Sequence, residues 1–539
     1  MTNKEISRKF NNLAKIMELH GENPFKIRSY RNAYNTLRKL DRPLADMTLK
    51  ELNDIPGVGK AIADKIRELI ETGKLNTYNK YADITPDGII EMLGVRGFGP
   101  KKIEVIWKEL EITTIGELLY ACNENRLVEL KGFGHKTQEK LKTQLQYYID
   151  SQGKYLYGFL IDEVDLLMDR LRRTFPDNRH EVTGDLRKLN PIINTIEVIT
   201  TCNQKVLLEQ KDNLGLNLEH DQFYLDNYPI NFQSHSNEEF GSVQFKLSTP
   251  AEWQKEDPLP RCSEEEQVFK LLNIPYIQPE FRDYPDVLDL DLDQFSNIIT
   301  EEDIKGVVHS HSTYSDGIHS IEDMAKESIK MGYQYLVMTD HSKVAVYANG
   351  LSEDRVIQQF EEIDQLNSKL KPFRIFKGIE ADILADGSMD YGNDFLSNFE
   401  LVIASIHSIL QMDKEKATSR LIRAIENPNT HILGHPTGRL LLSRKGYPID
   451  HMTVIDACAA NGMIIELNSN PLRLDLDWTW IPYAMEKGVR ISINPDSHNK
   501  DSIDYIKFGV NVARKALLTK DMCLNALTLV DFEKWVKTL

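Results

Sequence analysis

Apolar positions along the chain recur with two different periods, and the switches between them divide it. Through residues 1–80 they fall three and four apart, as in NKEISRKFNNLAKIMELHG and PFKIRSYRNAYNTLRKL. That spacing gives a helix one buried stripe. An internal repeat follows at DIPGVGKAIADKI (54–66), GVRGFGPKKIEVI (94–106) and ELKGFGHKTQEKL (129–141). Each copy holds an apolar residue, a G-x-G, one or more lysines and then a helical pattern. From 155 to 280 short β-rich pieces such as NTIEVITTC and SVQFKLS stand between helices. Beyond the acidic stretch DYPDVLDLDLDQ (283–294), which reads as a solvated linker, come seven apolar runs: KGVVHSHS, YLVMTDHS, FRIFKGIEADI, ELVIASIHS, HILGHP, MIIELNS and VRISINPDSH. Helical patterns such as IEDMAKESIKMG and TSRLIRAIEN separate them.

Seven β-α units over about 230 residues predict a parallel barrel rather than an open sheet. The runs are too continuously apolar for half-exposed strands, which fits burial inside such a barrel. The predicted fold is therefore multidomain: an all-α region, an α+β middle and a C-terminal distorted (β/α)7 barrel. Its expected divisions are a small helical domain at 1–80, tandem hairpins at 81–150, a middle domain at 151–285, an acidic linker at 286–305 and the barrel at 306–539. A length of 539 residues accommodates three to four domains.

Composition narrows the chemistry. No run approaches the roughly 18 apolar residues of a membrane span. The opening MTNKEISRKFNNLAK has no apolar signal core, so a cytoplasmic protein with no membrane partner is expected. The five cysteines form no C-x-x-C pair, so any metal must be held by histidine and carboxylate. The net charge of −17 argues against nucleic acid when taken alone, but residues 1–150 hold 25 Lys/Arg against 21 Asp/Glu, leaving 40 against 61 for the rest. A basic arm beside an acidic body restores nucleic acid as a candidate partner.

In a parallel barrel the functional groups gather where the strands end. His309 and His311 end the first run, and their i, i+2 spacing points both to one face. Asp316 follows in the loop. His341 ends the second run, Glu380 the third, His407 the fourth and His435 the fifth, while Asp496 and His498 repeat the paired spacing at the seventh. Six of the chain's 14 histidines thus stand at strand ends with three acids. Such groups are costly to desolvate unless they share cations, and imidazole with carboxylate suits zinc, manganese or iron.

The segments HSHSTYSDG, TDHS, GIEADI, ASIHS, GHPTGR and NPDSH resemble the motif set of the polymerase-and-histidinol-phosphatase (PHP) domain. The resemblance implies a distorted seven-stranded barrel with three divalent metals, Mn²⁺ or Zn²⁺ foremost. Its ligands would be His309, His311, Asp316, His341, Glu380, His407, His435, Asp496 and His498. Glu380 and Asp496 would act in catalysis, Glu380 as a bridging ligand. Arg439 would steer phosphate by charge, with His319, Lys343 and Arg473 as further candidates.

The G-x-G repeats resemble helix-hairpin-helix motifs. Gly57 and Gly59, Gly97 and Gly99, and Gly132 and Gly134 permit tight hairpins whose backbone N–H groups can hold a DNA phosphate. Lys60, Lys101, Lys102 and Lys136 follow them. HGENPFKIRSYRNAY (20–34) resembles the small N-terminal domain of family-X DNA polymerases, which in bacteria often end in a PHP domain. Lys26, Arg28 and Arg31 could then bind a 5′-phosphate, and Lys65 lies near the lysine that serves lyase-competent relatives. The resemblance breaks in the palm-like middle. TGDLRKLNPIINTIEVI (183–199) puts Thr195 and Glu197 where an Asp-x-Asp pair belongs, and Asn231 falls where a third aspartate would.

These features predict a DNA-repair protein acting on gapped, nicked or recessed DNA ends, with a metal-dependent 3′→5′ exonuclease in its barrel and nucleotidyl transfer lost. The alternatives are an active gap-filling polymerase with PHP proofreading, a DNA-end scaffold and a small-molecule phosphatase. The oligomeric state is left open.

Overall fold

The computed structural model describes residues 1–40, 42–95, 97–123, 127, 130, 132–151, 153–226, 228–254, 259–290, 292–442 and 445–539. Glu129 and Lys131 of the third repeat lie outside them. The chain forms two compact units, Met1–Gln152 and Gly153–Leu539. Among the described residues no helix is long and apolar enough to cross a membrane.

The first unit is helical. Helix Asn3–Leu19 starts at Thr2, whose side chain accepts from Glu5 N while Glu5 accepts in return, and it buries Ile6, Phe10, Leu13 and Met17 along one stripe. Helix Pro24–Leu37 starts at Asn23 with proline in its first turn. The three repeats each end in a long helix, Lys60–Thr72, Pro100–Leu110 and His135–Ser151. One continuous core runs from Ile6 to Leu145.

In the second unit, strands β1 (Tyr155–Leu156), β2 (His180–Thr183), β3 (Ile192–Ile193), β4 (Ile196–Thr200), β5 (Leu216–Glu219), β6 (Gln222–Leu225) and β7 (Tyr228–Ser234) belong to the middle region. β1 pairs with β3, and the others form a mixed sheet in the order β2-β4-β7-β6-β5. Helix Tyr157–Thr174 packs Leu160, Val164, Leu167 and Leu171 into the core of this region.

The stretch after residue 280 is no free tether. Asp283 pairs with Lys188 at 3.0 Å and with buried Lys515 at 2.9 Å, Val287 is buried, and Phe295 stacks on Phe281. Its charge pattern suggested solvent because paired and solvated aspartates look alike in a sequence.

Then follow β8 (Gly306–Val307), β9 (Tyr335–Met338), β10 (Arg374–Asp382), β11 (Leu401–Ser405), β12 (Ile432–Leu433), β13 (Ile464–Asn468) and β14 (Ile491–Asn494). They lie side by side in sequence order, all parallel. Side chains alternate between two clusters, as a two-residue period requires. Tyr335, Val337, Leu401 and Ile403 share one with Val308 and Phe376, while Leu336, Met338, Val402 and Ala404 belong to the other, which includes the flanking helices. An all-helical hairpin region, a mixed middle and a seven-stranded parallel barrel match the architecture expected from the sequence.

Two devices bring the first and last strands together. At the upper end Ser310 bridges Ser497, with His311 N donating to Ser497 O at 2.8 Å. Lower down the Asn525 side chain spans the seam. It accepts from Ile493 N at 2.7 Å and donates to Gly306 O and Ile493 O. Phe532, fully buried, stacks on Tyr335 with centroids 4.3 Å apart and meets Phe376 edge-on.

Replacing that ring leaves a void in a close-packed interior. Phe532→Ala should cost about 3–5 kcal/mol in a urea titration followed by fluorescence, whereas Val346→Ala, at an 82% exposed position, should stay within about 0.5 kcal/mol of wild type.

Candidate functional site

The strand ends deliver all nine proposed ligands to one rim. Glu380 lies within β10, His407, His435 and Asp496 each stand two residues beyond β11, β12 and β14, and His309 stands two beyond β8. His309, His435 and Asp496 adopt left-handed backbone, with φ of 67°, 23° and 51°. That conformation costs an ordinary residue about 1–3 kcal/mol and collects at functional sites.

Glu380 is the hub. Its Oε1 lies 3.0 Å from His435 Nε2, 3.1 Å from His407 Nε2 and 3.3 Å from His309 Nε2, and its Oε2 lies 2.9 Å from His341 Nδ1. Asp496 Oδ1 lies 3.1 Å from His311 Nε2 and 3.4 Å from His309 Nε2. Asp316 meets His498 at 3.4 Å and His341 at 3.6 Å. Three overlapping groups emerge: His309, His311 and Asp496; His341, Glu380 and His407; and His311, Asp316, His341 and His498. Within each, one ligand atom per residue lies inside 4.8 Å of the rest, the spacing a metal ion needs. His435 joins through Glu380. His309, Glu380 and Asp496 are buried, while the Asp316 and His498 side chains keep 33% and 38% exposure and mark the open side. His309 Nε2, His311 Nδ1 and His435 Nδ1 are buried with no hydrogen-bond partner. Orphaned buried nitrogens beside carboxylates suit a cation.

Several orienting groups escape sequence reasoning. Buried Glu466 lies 2.6 Å from His309 Nδ1 and accepts from Asn494 Nδ2 and Asn468 Nδ2. Asp382 lies 2.8 Å from His407 Nδ1. A carboxylate on the far ring nitrogen turns the near one toward a metal. Asp340 accepts from Ser312 N and from the hydroxyls of Ser312 and Ser315, fixing the loop that bears Asp316. A visible signal existed for two of these: Asp382 follows Glu380 at i+2, and Glu466 is an acid inside an apolar run.

Burial penalises every charge here, yet opposite charges dominate. His309 rises well above the usual imidazole value because Glu466, Asp496 and Glu380 outweigh its burial. His407 is lifted against burial to about 10 by Glu380 and Asp382, and His498 to about 9 by Asp316 and Asp496. Glu380 falls well below the carboxylate range, since His407, His309 and His341 overcome its desolvation. His311, buried and facing His498 and His341, drops to about 4. The carboxylates thus favour the protonated form of His309, His407 and His498, and metal cations would compete with those protons.

The four candidate cations part ways. Arg439 donates to Arg473 O at 2.9 Å and to Leu474 O, and pairs with Asp477 at 2.5 Å. Lys343 pairs with Glu353 and lies over the Tyr391 ring. His319 Nδ1 accepts from Lys500 N. Arg473 points its Nε at Asp496 Oδ2, 3.7 Å away.

In the helical unit the three hairpins share one design. Val58, Phe98 and Phe133 are buried between exposed glycines, and Gly57, Gly97 and Gly132 have φ of 81°, 89° and 88°. A side chain there would be strained. Gly59 and Gly99 precede the helix N-termini, Lys60, Lys101 and Lys136 are exposed, and Lys102 lies over the Phe133 ring. Lys26 pairs with Glu22 and Arg31 with Glu18, while Arg28 is exposed and Lys65 half-buried.

In the middle region Glu197 on β4 stands in register with Asn231 on β7, and Thr195 just precedes β4. The Glu197 carboxylate covers Gly184, where a Cβ would fall 2.0 Å from Oε2. Burial and then Asp185 raise its pKa. Arg187 grips Glu265 at 2.6 and 2.8 Å, and Arg282, fully buried, grips the same carboxylate.

Comparison with known proteins places this geometry. A helix-hairpin-helix domain model matches residues 1–75, a SAM-like helix-hairpin-helix tandem residues 89–146 and a PHP domain residues 308–470. A probable phosphatase of Thermoanaerobacter sp. (strain X514) is 29% identical over 228 residues, covering 40% of this chain and 88% of its own length. One from Acetivibrio thermocellus is 31% identical over 202 residues, covering 35% and 78%. The DNA polymerase/3′-5′ exonuclease PolX of Bacillus subtilis (strain 168) is 32% identical over a 570-residue alignment that covers 100% of both chains. Hairpins, middle region and PHP barrel follow one another along a match that leaves neither chain uncovered, and the chain belongs to the PolX family.

Proposed function

We propose that the protein is a DNA-binding nuclease whose barrel hydrolyses phosphodiesters from 3′ ends, acting on gapped, nicked or recessed DNA. The observation that carries this is the convergence of six imidazoles and three carboxylates on one rim, in a chain whose hairpins expose three pairs of glycines. Three divalent cations, Mn²⁺ or Zn²⁺, would be held by His309, His311 and Asp496, by His341, Glu380 and His407 with His435 beside them, and by Asp316 and His498 with His311 and His341. Bound there, they would supply Lewis-acid stabilisation of phosphoryl charge and an activated water. Glu466 and Asp382 hold the rings of His309 and His407 in place, and the exposed Asp316–His498 side admits the substrate. The hairpin amides grip backbone phosphates without reading bases.

The likeness of the barrel to probable phosphatases supports a second reading, hydrolysis of a small phosphate monoester. The hairpins favour DNA. For the middle region we propose that nucleotidyl transfer is lost. Thr195 and Asn231 bring no negative charge to hold a pair of cations around a nucleotide.

Mn²⁺ titrated into chelator-stripped protein at pH 7 should release protons, seen as buffer-dependent heat in calorimetry, and affinity should fall as pH drops. The sign follows from the raised imidazoles: protons held up to about pH 9–10 on His498 and His407 must leave on metal binding. Unchanged buffer heats would contradict it. With Mn²⁺, the protein should shorten 3′-recessed DNA and Asp496→Asn should not; equal cleavage by both would mark a contaminant, and cleavage of monoesters alone would favour the phosphatase reading. Lys60→Ala with Lys136→Ala should weaken DNA binding evenly across sequences and lower its salt dependence by about two units of slope. Primer extension on gapped DNA with Mg²⁺ or Mn²⁺ should yield no product; robust incorporation would restore the polymerase reading.

A further inference from the structure

We infer that Arg473 takes the non-bridging oxygens of the phosphate in the barrel, and that Arg439 is a positioning residue that aims it. The inference rests on the phosphoesterase reading above. Of the four side chains that the sequence offers for phosphate, three are committed. Arg439 is tied to Asp477 and to two carbonyls, Lys343 to Glu353 and Tyr391, and His319 to the backbone of Lys500. Arg473 differs. Among the described residues its side chain has one ionic neighbour, Asp496, at 3.7 Å. That separation is longer than a hydrogen bond, so the guanidinium fork has donors to spare. The side chain is 19% exposed, between the buried carboxylates and solvent.

The loop beneath it is tightly held. Asn470 N donates to Asn468 Oδ1 at 3.1 Å, Leu472 N to Asn470 Oδ1 at 3.0 Å and Arg473 N to Asn470 O at 2.7 Å. Asn468 itself donates to Asp496 Oδ2 at 3.0 Å, which links the loop to the proposed ligands. On the other flank Arg439 holds the carbonyls of Arg473 and Leu474 and anchors to Asp477. An arginine that spends its charge on a neighbour's backbone fixes where that neighbour points. A planar guanidinium fork then matches two phosphate oxygens, with hydrogen bonds strengthened by charge on both partners.

The test uses the full chain loaded with Mn²⁺ and compares wild type with Arg473→Ala, Arg473→Lys, Arg439→Ala and the double alanine variant. Metal content, calorimetric binding of inorganic phosphate, and kcat and KM for thymidine 5′-monophosphate p-nitrophenyl ester are measured. Arg473→Ala should keep its metal and bind phosphate about 10- to 100-fold more weakly. Arg473→Lys should recover part of the loss, and guanidinium ion should partly rescue Arg473→Ala. Arg439→Ala should weaken phosphate less, and on top of Arg473→Ala it should add nothing, because it acts through that side chain. Unchanged phosphate affinity in Arg473→Ala overturns the assignment, and additive losses in the double variant overturn the positioning role. A wild type that holds metal and cleaves the ester while Arg473→Ala matches it sinks this inference alone. A wild type that neither holds metal nor cleaves sinks the phosphoesterase reading as well.

Discussion

A carboxylate buried at the mouth of a barrel sets the terms for everything around it. Glu380 keeps its charge because four imidazoles crowd within 3.3 Å of its oxygens. Desolvation would otherwise neutralise it, so the surrounding strands must supply positive charge from protons or cations. That demand explains why ligand residues come from six strand ends, and why the chain accepts left-handed backbone at His309, His435 and Asp496. Glu466 and Asp382 extend the same logic outward, since each holds a ring whose other nitrogen faces the hub.

Much of this was legible in the amino-acid order. A histidine or acid closing an apolar run, and pairs such as His309/His311 and Asp496/His498, carry their meaning locally, because a strand points alternate residues to one side. The hairpins were legible for a similar reason: only glycine tolerates the backbone at Gly57, Gly97 and Gly132. What stayed hidden depends on distance in the chain. Glu466 meets His309 across 157 residues, and Asn525 meets Gly306 across 219. Neither spacing has a periodic signature. Asp283 looked solvated because its partners, Lys188 and Lys515, lie far off in both directions. Arg439 looked like a phosphate ligand from its place after the His435 loop, and nothing local reveals that Asp477 and two carbonyls claim it.

The middle region shows how a charged element can be turned inward. Arg187 and Lys188 follow the turn at Gly184, yet both are spent on Glu265 and Asp283. Arg282 and Lys515, each without solvent exposure, complete these networks, and Lys515 ties Asp283 to helix Ile506–Lys515. Buried ion pairs of this kind add little net stability over apolar packing but are costly to break from one side. They fix one arrangement of the middle region on the barrel.

The seam between the first and last barrel strands has a consequence for how the protein is made. Gly306 is translated well before its partner: the amide that bridges it to Ile493 belongs to Asn525, and the ring stacked on Tyr335 belongs to Phe532. Until those residues have been translated, the nascent barrel lacks the side chains that hold its lower seam. A product cut short before Asn525 would therefore carry the hairpins and all nine proposed ligands on a barrel whose lower seam is unsealed. The side chains that seal the barrel are thus made after every one of its proposed metal ligands.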